Sequence, residues 1–158
     1  MLTQVQPQMS LGGPVFSAYQ SSAQTLSSVT YTLLSFQTKN FDTGGCFNNT
    51  NSSTTLNGLT APAYSFTPNV AGYYQVSGGL SLGTTATGTV TTIYKNGSVV
   101  NFTSYSNPST VSGGYGSALV YLNGTGDYIQ LYGYITLGQV LASGSGITYF
   151  QSAFIRSA

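Results

Sequence analysis

The chain has 158 residues but only five charged side chains, Lys39, Lys95, Arg156, Asp42 and Asp127, and it contains no Glu, His or Trp. Charged residues make up 3% of it, against about 25% in an ordinary soluble domain, whereas Ser and Thr supply 44 residues and Asn and Gln another 20. Phosphate-tracking nucleic-acid binding, which needs about 6–10 clustered cations, is excluded, as is any imidazole base or histidine metal site, while 41% hydrophobic residues at a net charge of +1 exclude a disordered chain.

In chain order, residues 1–15 read as an arm that joins a domain over residues 16–158. The arm is Gln-rich, holds the apolar residues Met1, Leu2, Val5, Pro7, Met9 and Leu11, and ends in the joint Leu11-Gly12-Gly13-Pro14. Residues 1–10 have neither the basic start nor the apolar run of a secretory signal, and no stretch approaches the roughly 18 apolar residues of a membrane-spanning helix. A terminal segment of this kind needs a partner to order it, so the arm is a candidate contact with another protein. Five Asn-x-Ser/Thr sequons, at Asn48, Asn51, Asn96, Asn101 and Asn123, are what chance supplies in so Asn-, Ser- and Thr-rich a chain, and none is read as glycosylated.

From Val15 onward the pattern is β throughout. Short runs rich in Tyr, Phe, Val, Thr and Ile alternate with Gly, Asn and Ser clusters. They predict strands at 15–19, 29–37, 63–66, 72–82, 90–95, 98–105, 116–122, 127–135 and 148–156, with no helix beyond a turn. Asn96-Gly97 between two such runs predicts a two-residue hairpin, because both turn positions need positive φ. The stretch from Asn48 to Ala63 is the longest polar low-complexity tract and reads as a surface loop. In 127–135, Ile129, Leu131 and Ile135 share one face, and Tyr128, Gln130, Tyr132 and Tyr134 share the other. Tyr128, Tyr132 and Tyr134 are therefore candidate subunit contacts, since Tyr is enriched at interfaces.

Little catalytic equipment is present. Cys46 is the single cysteine, so it offers neither an intrachain disulfide nor a thiolate cluster, and beside Phe47 it reads as a small buried residue. Asp42 and Asp127 flank Gly-rich turns, where a carboxylate serves its own backbone. As a glycosidase pair they are no more than the coincidence most proteins contain, so no enzyme is expected, and no cofactor.

One constellation goes further. Phe36, five residues, Asp42, four residues and Phe47 resemble the front half of the C1q-domain signature. Phe66, five residues, Gly72, Tyr74 and Val76 resemble its second half. Eighteen residues separate the halves where the family has six, so the polar tract carries an insertion of about twelve; Val76 replaces the usual aromatic, and Gly78 stands where another is expected. Tyr94-Lys95-Asn96-Gly97, Gly126-Asp127-x-Ile129-x-Leu131 and Ser152-Ala153-Phe154-Ile155 resemble three later family segments, in the family's order.

The resemblance implies an all-β jelly-roll sandwich of the C1q and tumour-necrosis-factor type, with about ten strands and assembled as a homotrimer. Some members bind calcium, but two carboxylates per chain make a poor ligand set, and no metal is expected. Without a recognisable export signal or collagen stalk, the chain is similar to C1q-like domains of bacteriophage virion proteins, which are made in the host cytoplasm. The leading expectation is a trimeric capsid cement protein on the capsid exterior, gripping major capsid protein through its arm. The alternative is the receptor-binding head of a tail fibre or spike that recognises a host-surface glycan, with the 48–63 tract as the first place to look. Neither nucleic acid nor membrane is an expected partner.

Overall fold

Strands form here wherever apolar side chains recur at every second position, because that spacing puts them all on one side of a pleated strand. The structure, a computed structural model, describes residues 12–83, 88–106 and 113–158, with the backbone alone over 103–106. One antiparallel sheet has the order β10 (Gly113–Leu122), β7 (Gly72–Ser81), β13 (Tyr149–Arg156), β1 (Phe16–Tyr19), β4 (Thr38–Asp42). The second has the order β3 (Thr32–Leu33), β11 (Ile129–Ile135), β8 (Thr89–Lys95), β9 (Ser98–Ser106). Two short antiparallel pairs, β2 (Thr25–Leu26) with β12 (Gln139–Val140) and β5 (Thr54–Leu56) with β6 (Leu59–Ala61), lie outside these sheets. The chain passes from one main sheet to the other six times, from β1 to β3, β3 to β4, β7 to β8, β9 to β10, β10 to β11 and β11 to β13. This is a jelly-roll sandwich, and no helix occurs among the described residues.

The core is centred on phenylalanine. Phe16 stacks on Phe47 with ring centroids 4.5 Å apart and on Phe66 at 4.7 Å, and it meets the edge of Phe150 at 5.0 Å. All four are buried, and replacing one such ring with Ala typically costs about 3–5 kcal/mol. The two sheets interlock through a reciprocal pair. A Cβ on Gly78 of β7 would lie 2.5 Å from Leu131 Cδ2, and one on Gly133 of β11 would lie 2.6 Å from Leu80 Cδ2. Each glycine thus leaves the space that a leucine of the opposite sheet fills. Gly78 stands where the C1q-like signature would have an aromatic, and Leu131 supplies the missing volume.

Several expected elements are corrected. The strand expected over 29–37 shrinks to β3, because Val29 has φ 56°, outside the extended region, and Gln24 Oε1 takes the Ser35 amide at 3.0 Å out of the sheet. The strand expected over 63–66 is only a bridge from Phe66 to Phe47 and Ile129, since Tyr64 also has positive φ. Strand β4 pairs with β1 where only a turn was foreseen. The polar tract is not an open loop: β5 and β6 form a hairpin turned by Asn57 (φ 51°) and Gly58 (φ 78°), the same two-residue device as Asn96 (52°) and Gly97 (77°). Buried Asn48 closes the base of this hairpin, its Nδ2 donating towards the carbonyls of Ser52 (2.8 Å), Ala61 (3.0 Å) and Pro62 (2.8 Å).

The arm residues Met1, Leu2, Val5, Pro7, Met9 and Leu11 lie outside the described residues. Gly13 and Pro14, grouped with the arm's joint on sequence, are packed: Pro14 is buried, and Gly13 sits against the Phe154 ring so closely that a Cβ would overlap it.

Candidate functional site

Four of the five charges are used inside the fold. Lys39 Nζ lies 2.8 Å from Asp42 Oδ2, and the Asp42 carboxylate also accepts the Cys46 amide at 3.0 Å and the Phe47 amide at 3.1 Å. Lys95 Nζ lies 2.8 Å from Asp127 Oδ2 and donates to the Tyr121 carbonyl at 2.8 Å. Asp127 further accepts Asn96 Nδ2 at 2.7 Å and the Asn123 amide at 3.0 Å. Burial pushes the Asp127 carboxyl upward, but the hydrogen bonds from Lys95, Asn96 and Asn123 outweigh it and hold the group below its ordinary value. Both carboxylates are thus turn staples with their oxygens occupied. Arg156 lies over the Tyr73 ring, 5.7 Å from its centroid. Cys46 is buried, and its thiol is pushed up first by burial and then by nearby Asp42. No group of three or more His, Cys, Asp or Glu capable of holding a metal occurs among the described residues.

The remaining family-motif positions are structural too. Phe36, Phe47, Phe66 and Tyr74 are fully buried, and half-buried Phe154 packs edge-on against Tyr74 at 5.4 Å. A Cβ on Gly72 would lie 2.5 Å from both the Arg156 carbonyl and the Phe154 ring. Gly126 has φ 152° in the turn closed by Asp127, whose amide is held by Asn123 Oδ1 at 3.0 Å.

With both carboxylates and both lysines spent and the core filled, the two outer faces of the sandwich are left as the candidate site. The outer face of the five-stranded sheet is aliphatic and aromatic. Leu119 is 60% exposed, Phe41 52%, Tyr115 49% and Ile155 45%, with Tyr73 and Tyr121 partly exposed beside them. β10 and β7 place Leu119 opposite Gln75 and Tyr121 opposite Tyr73. Two hollows open on this face: one of about 280 Å³ between Tyr73, Leu119, Ile155 and Arg156, and one of about 350 Å³ flanked by Val15, Phe41, Gln75 and Gln151.

The outer face of the four-stranded sheet is aromatic and hydroxylated. Tyr132 and Tyr134 of β11 lie on it, while Ile129, Leu131 and Ile135 point into the core, as the alternation predicts. Tyr132 packs at a tilt against Tyr94 at 4.1 Å, Tyr134 likewise against Tyr31 at 5.0 Å, and Tyr31 meets Phe102 at 6.3 Å. Burial, followed by neighbouring phenols, raises the hydroxyl pKa of Tyr94 and Tyr132. Gln130, on the same side of β11, is covered, and its Nε2 donates to the Ala63 carbonyl at 2.7 Å. Tyr128 lies at the hairpin end of the strand, its amide donating to Asn96 Oδ1 at 3.0 Å.

The sequence reading missed Tyr31, Phe102, Tyr73, Tyr115, Leu119 and Ile155. A signal for part of this set was present: Ala118, Leu119, Val120, Tyr121 and Leu122 are apolar at both parities, the mark of a strand covered on both faces.

No protein-family model and no curated protein matches the chain. Solved structures do. The globular domain of a zebrafish complement 1qA protein superposes with a TM-score of 0.62 at 15% identity, covering 92% of this chain and 99% of that one. Murine APRIL superposes at 0.59 and 11% identity over 90% and 99%. The Eiger TNF of S. frugiperda superposes at 0.61 and 9% identity over 92% and 94%. At such identities the likeness is one of fold, and the fold is that of C1q and tumour-necrosis-factor domains.

Proposed function

We propose that this chain is a homotrimeric virion structural protein: a cement piece on the exterior of a bacteriophage capsid, made in the host cytoplasm and added to the shell. The observation that supports it most is the outer face of the five-stranded sheet. A face with Leu119, Phe41 and Ile155 largely exposed, two hollows and no acidic group is an assembly surface waiting for its partner. In the trimer, that partner is a second copy, whose exposed apolar side chains enter the hollows. Residues 1–11, with Met1, Leu2, Val5, Pro7, Met9 and Leu11, then grip the major capsid protein.

Deleting residues 2–11 tests this reading while sparing the packed Gly13 and Pro14. The shortened chain should keep its trimer mass and stop decorating purified capsids, and undiminished capsid occupancy contradicts the cement role. The second reading, a receptor-binding head of a tail fibre or spike, draws on the separate aromatic face, which the same assembly leaves outward. Purified trimer blocking phage adsorption to its host favours that reading over cement.

A further inference from the structure

We propose that the aromatic face of the four-stranded sheet is a binding platform for an uncharged glycan, with Tyr31, Phe102 and Tyr134 as its stacking surface. The proposal rests on the five-stranded sheet being the assembly face, and it gives the tyrosine row of β11 a partner other than a sister subunit.

Three features argue for it. First, the face is a strip of rings presented to solvent. Tyr134, Tyr31 and Phe102 follow one another with centroids 5.0 and 6.3 Å apart, Phe102 is 60% exposed and Tyr31 39%. Second, the backbone that delivers Tyr31 is strained. Val29, two residues earlier and 67% exposed, holds φ 56°, which is costly for a β-branched residue and the kind of strain that persists at functional sites. Its amide is pinned to the Ile135 carbonyl at 2.8 Å, tying the turn to the end of β11. Third, the face is chemically mixed but electrically neutral. Among the described residues, the rings that touch one another there are Phe102 and the tyrosines Tyr31, Tyr94, Tyr132 and Tyr134, and Lys95, the charge nearest in sequence, is committed to Asp127 and the Tyr121 carbonyl.

A neutral sugar fits this combination. Its ring presents C–H groups that suit the negative face of an aromatic quadrupole, its edge presents hydroxyls that pair with phenols, and it brings no charge to be left unmatched. A second copy of the chain fits the other face better, where aliphatic side chains and hollows match protein packing. The β5–β6 hairpin is the weaker candidate for sugar recognition. The amides of Asn48 and Asn57 are spent on carbonyls of the fold, Asn57 Nδ2 reaching the Gly44 carbonyl at 2.9 Å.

The full chain can be titrated with four neutral oligosaccharides (maltohexaose, cellohexaose, mannohexaose and chitohexaose) and followed by tyrosine fluorescence, which no Trp obscures. Saturable binding to at least one is expected. Phe102→Ala and Tyr31→Ala should each weaken it about tenfold, the size of one good ring contact. Tyr31→Phe should keep most of it, and Thr54→Ala on the hairpin should leave it unchanged. Phe102 is exposed enough that its truncation spares the core, so that variant carries the test if Tyr31→Ala fails to fold. The proposal is overturned if none of the four sugars saturates, if both ring variants bind like wild type, or if the ring variants dissociate the assembly. Measuring each variant's mass separates these results from a failure of the trimer reading, which appears as a wild-type monomer.

Discussion

The two outer faces of this sandwich come from the same alternation of residues, yet they present different chemistry. The five-stranded sheet shows Leu119, Phe41 and Ile155 around hollows; the four-stranded sheet shows phenol rings that already pack against one another at a tilt. Aliphatic side chains with unfilled space beside them gain by packing against another protein. Tyrosines at a rim keep a polar tip in water and offer a ring face to a flatter ligand. Tyr73, Tyr115 and Tyr121 lie on the five-stranded face too, so what tells the faces apart is exposed Leu119 and Ile155 and the hollows beside them.

The largest effect should come from placing charge on the five-stranded face. Leu119→Lys sets a second cation beside Arg156, in an apolar contact whose lining holds no carboxylate to neutralise it, a penalty of several kcal/mol. Self-association should weaken at least about a hundredfold in sedimentation experiments, whereas Tyr134→Ala on the opposite face should leave the mass unchanged. Equal dissociation by both variants erases the distinction between the faces.

Asp127 ties the two sheets together at one end, its carboxylate joining the β8–β9 hairpin to the β10–β11 turn. Asp127→Asn should cost about 1–3 kcal/mol, a range set by charge-assisted hydrogen bonds and kept modest because the pair is partly open to water. The sign with pH follows from its depressed native pKa. The stabilisation is whole above the unfolded value of about 4 and is lost as pH falls below it towards the native value. Urea midpoints measured across that range should fall for the wild type and stay flatter for Asp127→Asn. A parallel decline in both assigns the acid sensitivity elsewhere.

A smaller effect belongs to the inserted hairpin. Asn57→Ala removes a residue suited to positive φ and its bonds to the Gly44 and Gly45 carbonyls, and should cost about 1 kcal/mol. Neither sugar binding nor assembly mass should change, so any loss of binding moves the recognition site from the aromatic face to this insertion.

Much of the fold could be read from residue order. The alternation in 127–135 and the Asn96-Gly97 turn placed β11 and the β8–β9 hairpin, because period and turn chemistry are local properties. The β5–β6 hairpin carries the same Asn-Gly signal but was hidden by its short polar strands, which fully bury only Ala61 and so show no apolar period. β4 was invisible because its burial depends on pairing with β1, a contact distant in sequence. The candidate site was harder still. Tyr132 and Tyr134 stood out as a row, but Tyr31 and Phe102 join them only through β3 and β9, and no local pattern links three strands. Leu119 and Ile155 come together across β10, β7 and β13 in the same way.

The central claim is that a largely apolar face without ion pairs to a partner assembles this chain, and the native mass of the full chain tests it most directly. Sedimentation equilibrium in dilute buffer and again in about 1 M NaCl, a concentration that screens ion pairs and leaves apolar contacts intact, should give three times 16.5 kDa in both. A 16.5 kDa species in dilute buffer, or a trimer that falls apart in salt, contradicts it.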